Sequence, residues 1–231
     1  MLDTTAFQLG KVTPYSMFDW LANNPGDRAD FQAWMAESHK LQKSAFDVLR
    51  IDQLIQNCAQ DTVVFVDVGG GNGQSCMEFR QKYPDLAGRL INQDLQASVV
   101  GIPSDVVEHQ DYDFFTEQPI ANAKVYHFRK ILHNWSDDEC VNLLRQTRKA
   151  MSEASIILID EVAIKESQLD WHSCYVDLVM GMFFGARERT LGELERIFKR
   201  AGLSVRQATQ YMEGSGEHIM VLVKASERKD S

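Results

Sequence analysis

Residues 63–73 read VVFVDVGGGNG, a short apolar run that leads directly into four glycines. The run Val63–Val68 predicts a strand that is buried on both faces of a parallel sheet. At the start of the helix that follows, main-chain N–H groups point outward, and glycines without Cβ atoms let a ligand lie against the backbone. The turn therefore predicts a ligand site at the carboxyl end of this strand, in preference to a plain strand-to-helix connection.

The residues present in the turn restrict the class of ligand that it can bind. The dinucleotide pattern GxGxxG would need glycine at Gln74 or Cys76, and a P-loop would need a Gly-Lys-Ser/Thr ending that the turn does not have. The second predicted strand ends in Asp94, and an acidic side chain there commonly accepts hydrogen bonds from ribose hydroxyls. The turn and Asp94 together indicate a cofactor that carries a nucleoside.

Strand-like and helix-like segments alternate after this turn. Further strands are predicted at residues 89–93, 106–109, 124–128, 155–160, 204–208 and 218–223, and capping boxes at residues 136–139 and 190–193 begin two of the helices. This alternation predicts an α/β fold, a doubly wound and mostly parallel sheet of seven strands with an antiparallel carboxyl-terminal edge. We expect residues 1–58 to form a helical approach segment and residues 59–231 to form the domain itself.

The composition restricts the partners and the compartment. The 231 residues carry 33 acidic and 24 basic side chains, and the net charge of −9 provides no basic field for nucleic acid. No apolar run approaches the roughly 20 residues that cross a bilayer, and the amino terminus lacks the pattern of a signal peptide. The four cysteines lie far apart without a CxxC pair. These features predict a cytoplasmic protein without a nucleic-acid or membrane partner.

Six short motifs then occur along the chain. They lie at residues 67–73, 92–95, 113–115, 131–135 (ILHNW), 157–162 and 187–190 (RERT). With them, the chain from about residue 10 to residue 224 resembles the catalytic domain of the S-adenosylmethionine (SAM)-dependent O-methyltransferases of plant and fungal secondary metabolism, the caffeic-acid and flavonoid type. The sequence of residues 113–119 is most similar to that of the fungal branch of this family. The resemblance implies a Rossmann-like class I methyltransferase fold, SAM as cofactor with S-adenosylhomocysteine (SAH) as its product, and a small aromatic acceptor.

The resemblance also implies which residues hold the cofactor. Gly69 and Gly71 would lie against its methionine part with Gly70 in the same turn, Asp94 would bind the ribose, Asp113 and Phe114 the adenine, and Arg129 and Trp135 would line the pocket. For Phe114 and Trp135 the alternative is plain core packing. For Arg129 the alternative is a surface charge at the end of a strand.

His133 resembles the general base of this family, and Glu161 and Glu188 resemble the two carboxylates that bracket it. The chemistry suits an imidazole, because a phenol with a pKa of about 10 must lose its proton as it attacks a methyl group, and histidine titrates near neutrality. Asn134 stands where the family usually has aspartate, which should lower the basicity of His133 somewhat. No cluster of histidine, cysteine and carboxylate residues shows metal-ligand spacing in the sequence, so we expect no metal.

The family's architecture adds two expectations. Members carry an amino-terminal helical domain that dimerises and helps to wall the acceptor pocket, and here only approach helices precede the main domain. Apolar side chains of the helix predicted at residues 27–50 would then either be exposed for a homodimer or a hetero-partner, or pack on the sheet; they are Phe31, Trp34, Met35 and Leu41. We expect residues 171–185, rich in methionine and aromatic side chains, to line the acceptor pocket.

Three functions remain open at this point. The first is O-methyl transfer to a phenolic hydroxyl of a small secondary metabolite. The second is an enzyme that binds the same cofactor but carries out other chemistry, such as cyclisation, and the third is a non-catalytic subunit. The presence of His133, Glu161 and Glu188 argues against the third and mildly against the second.

Overall fold

The structure is a computed structural model that describes residues 4–41, 43–55, 58–95, 106–165, 171–212 and 214–226. Its strands are β1 (Val63–Val68), β2 (Arg89–Asp94), β3 (Glu108–Asp111), β4 (Val125–Arg129), β5 (Ile156–Ile164), β6 (Arg189–Thr190), β7 (Leu203–Gln210) and β8 (Glu217–Lys224). Seven of them form one sheet in the order β3-β2-β1-β4-β5-β8-β7, and the two-residue β6 pairs with the end of β5. Strands β1 to β5 are parallel, whereas β8 is antiparallel to both of its neighbours. The predicted doubly wound sheet with its antiparallel carboxyl-terminal edge is confirmed.

The sheet reverses its strand order at β1. The chain builds β2 and β3 on one side of β1 and then crosses to the other side to form β4. A reversal of this kind leaves a crevice at the carboxyl ends of the strands, where ligands of open α/β sheets bind. The glycine turn at residues 69–73 follows β1 and Asp94 ends β2, so the topology places both at this crevice.

Helices cover both faces of the sheet. They are α1 (Ala6–Lys11), α2 (Met17–Asn23), α3 (Pro25–Leu41), α4 (Ile51–Leu54), α5 (Gln74–Lys82), α6 (Asp137–Ala150), α7 (Trp171–Phe184) and α8 (Leu191–Arg200). One core, with Phe128 and Phe198, lies beneath α6 and α8, and the other, with Phe65 and Phe79, lies beneath α4 and α5. Because β1 is buried on both sides, its residues need no alternation of polar and apolar side chains.

The predicted capping boxes are present at both helices. Backbone N–H groups of Ser136 and Thr190 donate to the carboxylates of Glu139 and Glu193, at 2.8 and 2.9 Å. The two hydroxyls accept the reciprocal hydrogen bonds, so each box satisfies N–H groups that a helix start leaves without partners.

The helix predicted at residues 27–50 is shorter than expected. α3 ends at Leu41, and a single 3-10 turn at Ala45–Asp47 precedes α4. The chain bends here because Phe46, Leu49 and Ile51 are all buried beneath the sheet. On one continuous helix, Ile51 would point away from Phe46 and Leu49.

Two of the four apolar side chains expected on this segment are exposed. Trp34 keeps 62% of its surface accessible and Met35 keeps 41%, while Phe31 is partly buried beside Trp34. The side chain of Leu41 lies outside the described residues. Among the described residues, no helix is both long and apolar enough to cross a membrane.

The fifth strand is longer than the sequence predicted. β5 was expected to end at Asp160, but it continues to Ile164 because β8 pairs with it as far as Val162 and β6 pairs with its last two residues. Glu161 therefore lies within a central strand, not just after it as expected. A strand position is more rigid than a loop position, so the carboxylate of Glu161 is held by the sheet.

Candidate active site

His133 lies in a tight turn at the carboxyl end of β4. The strand ends at Arg129, residues Leu132–Asn134 form one turn of 3-10 helix, and Ser136 then caps α6. Leu132 is fully buried, whereas the side chain of His133 keeps 12% of its surface exposed. The imidazole is thus held at the edge of the core, where a small molecule can reach it.

Two buried carboxylates face one nitrogen of this imidazole. Nδ1 of His133 lies 2.9 Å from Oε1 of Glu188 and 3.8 Å from Oε2 of Glu161. The N–H of Leu132 donates to Oε1 of Glu161 at 2.6 Å, and the N–H of Glu188 donates to Oδ1 of Asp177 at 2.8 Å. An ionised carboxylate only accepts hydrogen bonds, so Nδ1 carries the proton and Nε2 is the basic nitrogen of the neutral ring. The two glutamates share Nδ1 and do not bracket the ring from both sides.

The electrostatics of the three groups favour a charged imidazole. Burial lowers the pKa of His133, but the charges of Glu161 and Glu188 and the hydrogen bond to Glu188 outweigh burial and raise that pKa above its ordinary value. Burial also raises the pKa of Glu161, and the charge of His133 opposes that rise. An imidazolium formed during a reaction would therefore be stabilised where it forms.

Arg189 is a residue of the site that the sequence analysis missed. Its buried guanidinium donates to the carbonyl oxygens of Leu132 (2.7 Å) and Trp135 (2.6 Å) and to Oδ1 of Asp137 (2.9 Å). Glu188 therefore contacts the imidazole while its neighbour Arg189 holds the backbone on both sides of it. Arg189 could have been noticed in the sequence, because it directly follows the predicted carboxylate Glu188 and directly precedes the predicted helix cap Thr190.

The side chains of His133, Glu161 and Glu188 also form a cluster in space. Donor atoms of His133, Glu161 and Glu188 all lie within 4.8 Å of one another, a distance at which three such groups can also surround a metal ion. Three distant segments of the chain converge here, so spacing along the sequence could not predict this cluster.

The glycine turn forms an open cradle beside Asp94. Gly69 and Gly71 have φ values of +71° and +53°, in the left-handed region that favours glycine. The N–H of Gly71 donates to Oδ2 of Asp94 at 2.8 Å, and a Cβ added to Gly71 would meet no atom of the described residues within 4 Å. The backbone at Gly71 thus faces open space next to a carboxylate, which fits the methionine and ribose parts of SAM.

Gly70 faces the opposite way, onto a row of polar side chains. His109, Asn92, Asp67 and His127 occupy neighbouring register positions on β3, β2, β1 and β4. Nδ1 of His127 lies 2.8 Å from Oδ1 of Asp67, and Nδ2 of Asn92 donates to the carbonyl of Gly71 at 2.8 Å. Oδ2 of Asp67 and Oδ1 of Asn92 are buried and have no hydrogen-bond partners in the part of the chain that the structure describes, and both lie where a Cβ on Gly70 would stand. This row, which the sequence analysis did not identify, leaves no room for a side chain at Gly70.

Two of the predicted adenine and wall residues lie near the turn. Phe114 comes close enough to Gly69 to contact a Cβ placed there, at 3.4 Å, and its ring packs edge-on against Trp135. Asp113 is exposed, and its carboxylate accepts a hydrogen bond from the N–H of Phe115. Phe114 and Trp135 are both partly buried, so packing and ligand contact are compatible for them.

Arg129 is directed toward another partner. It ends β4 opposite Asp160 of β5, and its Nε lies 3.2 Å from Oδ2 of that carboxylate. The hydroxyl of Tyr211 donates to the other oxygen of Asp160 at 2.7 Å. The arginine thus lies at the same edge of the sheet as the glycine turn, but its described ion pair links β4 to β5.

Aromatic rings from the amino-terminal helices close one side of the site. Phe18 of α2 stacks on Trp135 with ring centroids 6.4 Å apart and contacts Phe184 of α7 at 5.2 Å. Residues of α7 that face solvent include Trp171 and Tyr175, whereas Met180 is buried. Only part of the predicted segment 171–185 therefore borders the His133 region, and α2 contributes a ring that the sequence analysis did not assign.

Comparisons with known proteins identify relatives of this chain. The profile of the O-methyltransferase domain family matches residues 5–204. The demethylsterigmatocystin 6-O-methyltransferase of Aspergillus flavus is 35% identical over 219 residues, which is 94% of this chain and 56% of that protein. The demethylsterigmatocystin 6-O-methyltransferase stcP of Emericella nidulans is 36% identical over 75% of this chain and 85% of its own length.

Solved structures of similar fold include two with ligands. The structure of LepI in complex with SAM superimposes with a TM-score of 0.85 at 29% identity, covering 96% of this chain and 58% of that one. OxaC in complex with SAH and oxaline gives a TM-score of 0.81 at 26% identity, with the same coverage. The chain spans a little over half the length of most of these relatives. Its fold is that of the class I methyltransferases, and the chain belongs to the O-methyltransferase domain family.

Proposed function

We propose that this protein transfers the methyl group of SAM to a hydroxyl, phenolic in the first instance, of a small aromatic metabolite. The observation that carries the proposal is the placement of His133: its Nδ1 is 2.9 Å from Glu188, and its turn lies at the same sheet edge as the open glycine cradle. Names of the relatives support the reaction type, because they include O-methyltransferases that act on small metabolites.

The residues of the chain supply binding and proton removal. Gly69, Gly71 and Asp94 would hold SAM, with Phe114 beside the adenine, as the open backbone at Gly71 and its hydrogen bond to Asp94 allow. When bound, SAM supplies a methyl group that its sulfonium already makes electrophilic, so the protein needs to add only alignment and a base.

His133 would be that base. Nε2 takes the proton of the acceptor hydroxyl as its oxygen attacks, while Glu188 holds the proton on Nδ1 and so fixes the tautomer. Glu161, anchored by the N–H of Leu132, adds a second negative charge that stabilises the imidazolium. This mechanism uses no metal, so we expect full activity in the presence of a chelator such as EDTA. Loss of activity with EDTA and its return with an added divalent metal would instead assign the 4.8 Å cluster to metal binding.

The test is an incubation of the purified protein with methyl-labelled SAM and a panel of polyphenolic metabolites. Label in the organic product together with an equal amount of SAH supports the proposal. A matched His133→Gln protein controls for non-enzymatic transfer. Label that appears equally with both proteins would show that His133 is not the base.

A second function is favoured by one specific comparison. A structure described as a pericyclic reaction enzyme superimposes with a TM-score of 0.84 at 29% identity. Conversion of an acceptor without formation of SAH would support such a non-methylating reaction. Binding of SAH without conversion of any substrate would leave the third alternative, a non-catalytic subunit.

A further inference from the structure

Lys130 occupies a strained position directly before the His133 turn. Its φ of +54° lies in the left-handed region, where side chains other than those of glycine, asparagine and aspartate are uncommon. Its N–H donates to the carbonyl of Asp160, and its own carbonyl accepts a hydrogen bond from Nδ2 of Asn134. Strain retained beside an active site is often linked to function, so the lysine side chain needs an explanation.

The ammonium group of Lys130 is buried at the site. Its Nζ is shielded from solvent and has no hydrogen-bond partner among the described residues, and Oε1 of Glu217 lies 3.7 Å away. Burying an ammonium is costly unless opposite charges stabilise it. Neither the proposed chemistry of His133 nor the local fold requires a cation here, and glycine would fit the backbone better.

The charges around the imidazole supply the explanation. Among the described residues, the buried carboxylates of Glu161 and Glu188 face His133, and that of Glu217 faces Lys130. On β8, His218 lies opposite Glu161 in the register of the sheet. The other cations nearby are already paired, because Arg129 lies beside Asp160 and Arg189 beside Asp137. On α7, Asp177 faces the backbone N–H of Glu188.

Lys130 opposes the effect of the glutamates on the base. Its charge lowers the pKa of His133, against the rise that the two carboxylates cause, and it lowers the pKa of Glu161, against the rise that burial causes. Without Lys130, the charges of Glu161 and Glu188 would act on the imidazolium with less opposition. His133 would then keep its proton to a higher pH and would be available as a base in a smaller fraction of molecules.

We infer that Lys130 is a positioning residue whose buried ammonium offsets the glutamates around His133 and thereby keeps the imidazole available as a base near neutral pH. The inference rests on the proposed role of His133 and adds to it a residue that sets the pH range of the reaction.

Four variants separate charge from structure. Lys130→Gly removes the ammonium and relieves the left-handed strain, so its melting temperature should equal or exceed that of the wild type. Lys130→Met removes the charge but keeps the bulk, and Lys130→Arg keeps the charge. Lys124→Met, at the other end of the same strand, is the control for loss of a lysine away from the site.

The first measurement follows the ring itself. The NMR titration of His133, assigned by the signal lost in His133→Gln and recorded with SAH bound, should move to higher pH in Lys130→Gly and Lys130→Met. Lys130→Arg and Lys124→Met should match the wild type. In kcat/KM for a phenolic acceptor, the acid limb should move in the same direction, so activity at pH 7 falls while the alkaline plateau is retained.

The outcomes distinguish this inference from the proposed function. An unchanged midpoint in Lys130→Gly, a variant with a better-suited backbone, would overturn the inference even if methyl transfer is observed. A shifted midpoint in a protein that never forms SAH would support the role of Lys130 toward the ring and reject the proposed methyl transfer. A loss of activity that no pH restores would assign Lys130 a structural role and overturn the inference.

Discussion

One imidazole carries the proposed chemistry, and its loss should appear in turnover and not in cofactor binding. We expect His133→Gln to lower kcat by about 10²–10⁴-fold, the usual contribution of a general base. Affinity for SAH, measured by calorimetry, should change less than about twofold, since hydrogen bonding to the ring concerns the acceptor. Glu188→Gln should lower kcat more than Glu161→Gln does, because Glu188 lies 2.9 Å from Nδ1 of His133 and Glu161 lies 3.8 Å from it. The reverse order of the two glutamine variants would contradict this assignment.

The pH dependence of the same residue follows from its surroundings. Although burial lowers the pKa of His133, the two glutamates raise it above the ordinary value, and only the neutral ring can accept a proton. The rate should therefore rise with pH through a midpoint above that of an exposed histidine. The stabilising effect of the charged ring is complete below the pKa of the unfolded chain and is lost as pH rises through the folded pKa. We expect the melting temperature to fall over the pH range in which activity rises, and His133→Gln should show neither change.

At this scale the sequence predicted the three side chains that the fold brings together, but not the residues that hold them. His133, Glu161 and Glu188 could be predicted from motifs in a fixed order, and the fold brings all three together. Arg189 and Lys130 could not, because their partners are a turn backbone and the side chain of Glu217 from remote segments. Periodicity and spacing describe neighbours along the chain, and these contacts exist only after folding.

Among the elements, the glycine turn offers a matched pair of substitutions. A methyl group on Gly70 would collide with the buried oxygens of Asn92 and Asp67, which are fixed by Gly71 and His127. Gly70→Ala should therefore lower the free energy of unfolding by about 1–3 kcal/mol or more, the range for overpacking. Gly71→Ala meets open space, so only its left-handed backbone is penalised, by about 1–2 kcal/mol.

The two variants should differ more in binding than in stability. If SAM lies against Gly71, the methyl group that Gly71→Ala adds would weaken the binding of SAH, measured by calorimetry. The variant should remain folded, as measured by circular dichroism. Normal SAH affinity in Gly71→Ala would show that the cofactor does not contact this glycine.

Arg189 joins β6 to the turn that carries His133. Arg189 spans both carbonyls that flank the turn and also Asp137, a geometry that a lysine ammonium cannot reproduce. We expect Arg189→Lys to lower kcat by about tenfold or more through misplacement of His133, with SAH affinity retained. Arg200→Lys, an exposed arginine at the end of α8, is the control and should have wild-type kcat. Equal kcat in Arg189→Lys and the wild type would show that the turn holds its shape without the guanidinium.

The elements themselves were largely predictable, and the exceptions have tertiary causes. Capping boxes and the apolar run of β1 are local signals, and the structure confirms them. β5 exceeded its prediction because β8 and β6 extend its pairing. The helix predicted at 27–50 ended early because Phe46, Leu49 and Ile51 are all buried, which one continuous helix would not allow. Pairing and burial of this kind cannot be read from the periodicity of one segment.

For the molecule as a whole, the chain's exposed apolar surface is the feature that most affects its behaviour. Trp34 and Met35 of α3 are exposed, and so is a separate stripe on α7 at Trp171, Tyr175 and Leu178. Large exposed apolar patches commonly mark contacts with other proteins.

We therefore predict a homodimer that forms through α3, or a complex with a hetero-partner on the same helix. In light scattering at micromolar concentration with SAH present, the wild type should have twice the mass of the chain, and the double variant Trp34→Glu/Met35→Glu should have the mass of one chain. Both side chains are exposed, so the variant should melt within a few degrees of the wild type.

Trp171→Glu on α7 is the matched control and should remain dimeric. A dimer that dissociates in Trp171→Glu but not in the α3 variant would place the interface on α7. A wild-type mass of one chain, alone and with candidate partner chains, would mean that α3 is not an interface at all.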